Sequence, residues 1–173
     1  MSDVQEGIGP DQFRMALRRW PSGVTVLTFP TPEGPHGMTA SAFCSVSVAP
    51  PQVLVVVDRR WRSHDLIAAA GVVCVNILAE DQAEVSDIFA GRVDRDDRFA
   101  GLAIEVGPSG APRLLAARAW LDCRLAAAHE AGDHSIFVAQ VMAAGLGPDH
   151  EGPLVYHDGA YRRVGERAQA SSS

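Results

Sequence analysis

At 173 residues the chain is long enough to bury an ordinary core in one domain without disulfide or metal staples. A formal net charge of −6 argues against nucleic acid as a partner, because phosphate backbones are bound by basic faces. All 15 basic residues are Arg, which excludes Schiff-base chemistry and a P-loop lysine, so any anion site must use guanidinium groups, backbone N–H groups and hydroxyls.

The first residues, MSDVQEGIGP, lack the basic and apolar regions of a signal peptide, and no stretch approaches the roughly 20 apolar residues of a membrane helix. A cytoplasmic location away from membranes is expected. Asp11 to Trp20 carries Phe13, Leu17 and Trp20 at helical spacing and stops before Pro21, which predicts one short amphipathic helix. Strands are predicted for Val24 to Phe29, for an extended run from Gly37 to Val48, and for Val53 to Val57, with Pro and Gly between them. On the extended run, Thr39, Ser41, Ser45 and Ser47 would share one face.

Ser63 reads as the N-cap of a helix over His64 to Ala70 that Gly71 ends. Val72 to Leu78 returns to strand, and Val85, Ile88 and Phe89 share one face of a helix within Asp81 to Ala90. Arg92 to Phe99 mixes both signs of charge and reads as a solvated connector. Four further strands are expected at Trp120 to Leu125, Ile136 to Met142, Leu154 to Tyr156 and Tyr161 to Val164, the last two joined by an Asp158-Gly159 hairpin turn. Residues 1–165 would form the domain and 166–173 a disordered tail. This run of strands without βαβ alternation predicts an antiparallel barrel with helices outside it, a doubly wound parallel sheet being the alternative.

Cys44, Cys74 and Cys123 are odd in number, far apart and without a CxxC pair, so buried small hydrophobes are expected rather than disulfides or a zinc site. HEAGDH, residues 129–134, spaces its histidines five apart rather than four and is set aside as a metal site. No GxSxG surrounds a serine, and Gly7 and Gly9 lack the rest of a dinucleotide fingerprint. Three stretches keep a functional reading. Small residues around Thr39, Ala40, Ser41 and Ala42 would let a planar ligand approach the backbone, or would be an edge strand facing solvent. Asp58 to Ile67 delivers three arginines into a helix start, an anion site built on Arg62 and Ser63 or a plain capping serine beside exposed arginines. Ala131 to Val141 places Asp133 and His134 at a turn feeding a strand, where His134 could meet a ligand or simply face solvent.

Together, FRMALRRWPSGVTVLT, GMTASAFCSVSVAPPQVLVVVD, CVNILAEDQAEVSDIFA with the later DRFAG, GDHSIFVAQV and PLVYHDGAYRR resemble, in order and spacing, the short flavin reductase family, the reductase partners of two-component flavin monooxygenases. The resemblance implies a mainly β fold, an antiparallel Greek-key flavin-binding split barrel with a few short peripheral helices, normally a homodimer. It implies hydride transfer from NADH or NADPH to FMN or FAD, with release of reduced flavin to a monooxygenase. By the same resemblance Gly37, Met38, Thr39, Ala40, Ser41, Ala42 and Phe43, with Ser45, lie along the flavin, Ala42 standing where many relatives carry Ser. Val57 and Asp58 lead to Arg62 and Ser63 at the flavin phosphate, Ile88 and Phe89 close on the flavin, and His134 is the histidine near the nicotinamide. The rival reading is a split-barrel protein that binds flavin without catalysis, as a redox sensor or store. Reduction of ferric chelates or cobalamin is a variant within the enzymatic one.

Overall fold

The computed structural model describes residues 7–149 and 152–165. In chain order it contains α1 (Pro10–Leu17), β1 (Ser22–Gly23), β2 (Thr25–Thr31), β3 (Gly34–Ala40), β4 (Phe43–Val48), β5 (Pro51–Asp58), α2 (Arg62–Ala70), β6 (Val72–Ile77) and α3 (Ala83–Phe89). After these come β7 (Ile104–Val106), β8 (Pro112–Leu114), β9 (Ala119–Ala131), β10 (His134–Leu146), β11 (Val155–His157) and β12 (Ala160–Arg162).

Seven strands form one sheet in the order β3-β2-β6-β9-β10-β5-β4, and every pairing in it is antiparallel. Its two edges, β3 and β4, are consecutive in sequence and joined only by Ser41 and Ala42. A sheet whose first and last strands are tethered by two residues must curl until its edges meet, which makes a barrel. No ladder joins β3 to β4, so the barrel is split along that seam. The expected antiparallel barrel is therefore present, with the predicted run from Gly37 to Val48 broken into the two strands that flank the split.

Period-2 alternation sorts the core into two compartments. Leu27 and Phe29 of β2 point into the barrel with Val53, Val55 and Val57, Val73 and Val75, Phe137 and Ala139, and Ile67 of α2 plugs one end. Val24 and Val26 point the other way, into a second cluster with Leu78, Phe89 of α3, Phe99, Leu114 and Leu154. Burying each such side chain contributes about 1.5–3 kcal/mol. Between the compartments lies Asn76, fully buried and satisfied: its Nδ2 donates to Val26 O (3.0 Å) and Thr28 Oγ1 (2.9 Å), and its Oδ1 accepts from Leu114 N (2.8 Å).

Local signals mostly hold. Gly71 adopts φ 65° and ends α2, and the Asp158-Gly159 turn between β11 and β12 takes φ 50° and 80°, the left-handed pair such a hairpin demands. HEAGDH forms the β9–β10 hairpin rather than a helix. Four expectations are corrected. Helix α1 stops at Leu17 and buries none of its residues. Trp61, in extended conformation, is the N-cap of α2, and Ser63 lies within the first turn because its hydroxyl is engaged across the cleft instead of capping its own helix. The charged connector ends inward, with Arg98 half-buried and Phe99 in the core. Cys74 and Cys123 are buried as expected, but Cys44 is exposed because β4 is an edge strand. The expected tail, 166–173, lies outside the described residues. Among the described residues no helix is long and apolar enough to cross a membrane.

Candidate functional site

A cleft of about 630 Å³ opens where β3, the first turn of α2, α3 and the β11–β12 hairpin converge. That is within the ordinary range for a small-molecule site. Its floor is β3, whose position at the sheet edge lets Met38, Thr39 and, just past its end, Ser41 reach the opening. Helix α3 closes one side and is tied to that floor, Thr39 Oγ1 donating to Ser86 O at 2.6 Å. The approach is possible only because residue 37 is glycine: a Cβ there would lie 2.7 Å from Phe89 Cε1 and 3.0 Å from Leu27 O.

One end of the cleft is cationic. Trp61, Arg62 and Ser63 arrive from α2, His36 from β3 and Arg98 from the loop after α3. Arg62 Nη2 pairs with Glu33 Oε2 at 2.7 Å, but both side chains are well exposed, so the pair is weak and leaves the guanidinium available to an anion. Arg98 Nη1 donates to Gly37 O (3.3 Å) and Phe89 O (3.4 Å), which fixes it beside the floor. His36 Nε2 stands 3.1 Å from Ser63 Oγ. Burial, then Arg98 and Arg62, push the His36 pKa below its ordinary value, with Glu33 pulling weakly the other way.

The opposite end is aromatic. Tyr156 and Tyr161 meet edge to face with centroids 5.7 Å apart, and the Arg92 guanidinium lies 5.7 and 5.8 Å from the two rings. Asp87 Oδ1 accepts from Tyr161 (2.7 Å) and from Arg92 Nη1 (2.9 Å), and the Tyr161 hydroxyl also sits 2.8 Å from Ser86 Oγ. Burial raises the Tyr161 pKa, so the phenol stays protonated at neutral pH.

Of the residues expected at the site, Met38, Thr39, Ser41, Arg62, Ser63 and Phe89 line the cleft. Gly37 and Ile88 are buried and outside the lining, Gly37 lying against the ring of Phe89. Ala40 and Val57 belong to the barrel core, against which the half-buried Phe43 packs. Ala42, in the link at the split, and Ser45, on β4, are exposed and outside the lining. Asp58 is held by a forked contact from Arg60, Nη2 to Oδ2 at 2.6 Å, which keeps its carboxyl well below the usual carboxylate range. His134 pairs in register with Asp58, contacts Asp133 Oδ1 through Nδ1 at 2.6 Å, and stands outside the cleft lining. Its neighbour Ser135 places Oγ 2.9 Å from His64 Nε2, so β10 is tied to the same helical turn that carries Arg62.

His36, Trp61, Ser86, Arg92, Arg98, Tyr156 and Tyr161 also line the cleft and were not singled out by sequence reasoning. The signals were faint. Tyr156 and Tyr161 flank the Asp-Gly turn, and Arg92 and Arg98 are hidden in a charge run whose composition says only that it is solvated.

Residues 17–165 match the family described as flavin reductase like domain. An FMN reductase (NADH) RutF from Ancylobacter novellus is 36% identical over 157 residues, covering 91% of this chain and 86% of that protein. The reductase component of an FADH(2)-dependent resorcinol hydroxylase from Rhizobium sp. is 36% identical over 158 residues, covering 90% and 87%. Among solved structures, the NADH:FAD oxidoreductase SgcE6 of Streptomyces globisporus C-1027 superposes with a TM-score of 0.85 at 32% identity, covering 99% of both chains.

Proposed function

The chain belongs to the flavin reductase like domain family, and from that premise we propose that it oxidises NADH with FMN or FAD as acceptor and releases reduced flavin to a partner monooxygenase. The observation that carries the reading is the cleft itself: a floor of small and hydroxyl residues, a cationic end and an aromatic end, together the size and polarity of a nucleotide-like planar ligand. When bound, flavin supplies the hydride acceptor and NADH the donor, leaving NAD⁺ and reduced flavin.

The protein's part is binding and order. Arg62 and Ser63 would hold the flavin phosphate, with Arg98 adding charge from the neighbouring loop. Met38, Thr39 and Phe89 would set the plane of the ring against β3 and α3, and Gly37 keeps that wall close. Such a site needs no acid–base pair, since orientation of the two reactants supplies most of what the transfer requires. We assign His134 to the nicotinamide by family resemblance; its half-buried place beside Asp58, on a strand bonded to α2, supports that reading. His134→Ala then raises KM for NADH and spares flavin affinity, whereas equal damage to both would make the residue a part of the fold.

The reading extends to a cytoplasmic homodimer. Phe13, Leu17 and Trp20 on and after α1 are more than half exposed, an apolar face suited to a second copy. Light scattering then gives about twice the 18.4 kDa chain mass, and a monomer would leave that face unexplained. The test of the activity is steady-state oxidation of NADH and of NADPH with FMN, FAD and riboflavin in turn. Turnover with FMN or FAD supports it. A preparation that is coloured by flavin but oxidises neither nucleotide would make the protein a flavin carrier instead.

A further inference from the structure

The cationic end of the cleft contains a hydrogen bond whose direction matters. His36 Nε2 and Ser63 Oγ are 3.1 Å apart, and a serine hydroxyl has one proton to give. In the neutral ring with its proton on Nδ1, Nε2 is a bare acceptor, and Ser63 then spends its proton on the ring and turns only lone pairs toward an incoming phosphate oxygen. Once Nε2 carries a proton, the ring donates to Oγ and the hydroxyl proton is free for the phosphate.

The ring is half-buried, lies 5.4 Å from the Phe29 ring centroid, and faces Arg62 of α2, Arg98 of the loop after α3 and Glu33 of the β2–β3 turn. Burial and the two arginines disfavour its charged form, so it is neutral in the free protein at pH 7.5. A phosphate dianion set among Arg62, Arg98 and Ser63 reverses the local field and favours the imidazolium.

We propose that His36 is a positioning residue for the flavin phosphate: binding draws its ring toward the protonated form with a proton from solvent, and the protonated ring donates from Nε2 to Ser63 Oγ and thereby turns the Ser63 hydroxyl toward the phosphate. The proposal rests on the assignment of Arg62 and Ser63 to that phosphate. It makes His36 a determinant of the choice between phosphorylated flavin and riboflavin, a role distinct from any contact with the ring system.

Isothermal titration at pH 7.5 in buffers of different ionisation enthalpy counts the protons. Wild-type protein takes up a fraction of a proton per FMN bound and none per riboflavin. His36→Gln, whose amide can still donate to Ser63 but cannot titrate, binds FMN with that uptake gone. Ser63→Ala keeps the ring and lowers the advantage of FMN over riboflavin roughly tenfold, the size of one hydrogen bond to a charged group. Absence of uptake in the wild type, or uptake unchanged in His36→Gln, would overturn the proposal. Failure of the underlying assignment looks different: Arg62→Ala would retain the full preference for FMN over riboflavin, whatever His36 does.

Discussion

Strands β3 and β4 are separated by two residues and share a vocabulary of small, apolar and hydroxyl side chains, yet they meet opposite fates. In β3, Gly37 and Ala40 are buried, and Met38 and Thr39 are covered on one side by the barrel or by α3. In β4, Cys44, Ser45, Val46 and Val48 are all exposed. The difference comes from their neighbours. Both strands are sheet edges, but β3 has α3 docked against it and the first turn of α2 beyond its rim, whereas among the described residues no helix packs against β4 to a comparable extent. An edge covered on one side and left open at its rim becomes a binding floor; an uncovered one is surface.

The sharpest way to break that contrast is to remove the covering. Gly37→Ala puts a methyl group into Phe89, whose ring is 1% exposed and held edge-on by Phe99 at 5.0 Å, so the ring cannot swing aside cheaply. The expected loss is about 1–3 kcal/mol of stability, as for overpacking in a close-packed core. A fall in the urea midpoint, accompanied by weaker flavin binding as α3 lifts from β3, checks it. An unchanged midpoint would mean that α3 docks loosely and that the floor is no more constrained than β4.

Arg62→Ala tests the other boundary of the floor. Its guanidinium is largely exposed, so its worth to a phosphate is discounted toward the low end for a charge-assisted hydrogen bond, roughly a tenfold rise in KM for FMN. The turnover number at saturating FMN should hold, because a phosphate contact is made equally in ground and transition states. A fall in turnover with KM unchanged would move Arg62 from the phosphate to the reacting end.

These contrasts also show which features the sequence made legible. Strand periodicity, the Asp-Gly turn and Gly71 are local signals, and each reappears where short-range physics puts it. The order of the blocks pointed to β3 and to the Arg62-Ser63 turn, and both contribute residues to the cleft lining. The break at Ser41-Ala42 was not legible, because alternation continues across it and only the closing of the barrel demands it. Ser63 as an N-cap failed for a related reason: its true partner, His36, is 27 residues away in sequence, and a hydroxyl takes the partner that folding delivers. Arg98 and the two tyrosines reach the cleft through contacts that no spacing rule encodes.

The cysteines carry the same comparison into a measurement that needs no ligand. Cys44 on β4 is exposed, whereas burial pushes the Cys74 and Cys123 thiols of β6 and β9 up to about 12. Thiolate is the reactive form, so at pH 8 the buried pair is both inaccessible and protonated. A thiol reagent should label one site per chain quickly and the other two only after unfolding. Fast labelling of all three would mean that the barrel opens readily at the split between β3 and β4. Slow labelling even of Cys44 would mean that a second copy covers β4 in solution.

Ser45→Ala is expected to do least. The family resemblance sets both Ser45 and Thr39 along the flavin, yet Ser45 is exposed on β4, outside the cleft lining, while Thr39 spends its hydroxyl on Ser86 O and holds α3 in place. Substitution at such a surface position should change stability by no more than about 0.5 kcal/mol. Flavin affinity should be equally indifferent if the cleft seen in one chain is the whole site. The informative result is a loss of flavin affinity without a loss of stability. In a single chain β4 contributes no residue to the cleft lining, so that outcome would mean that β4 of one copy completes the site of another, and the contrast between the two strands would then belong to the monomer alone.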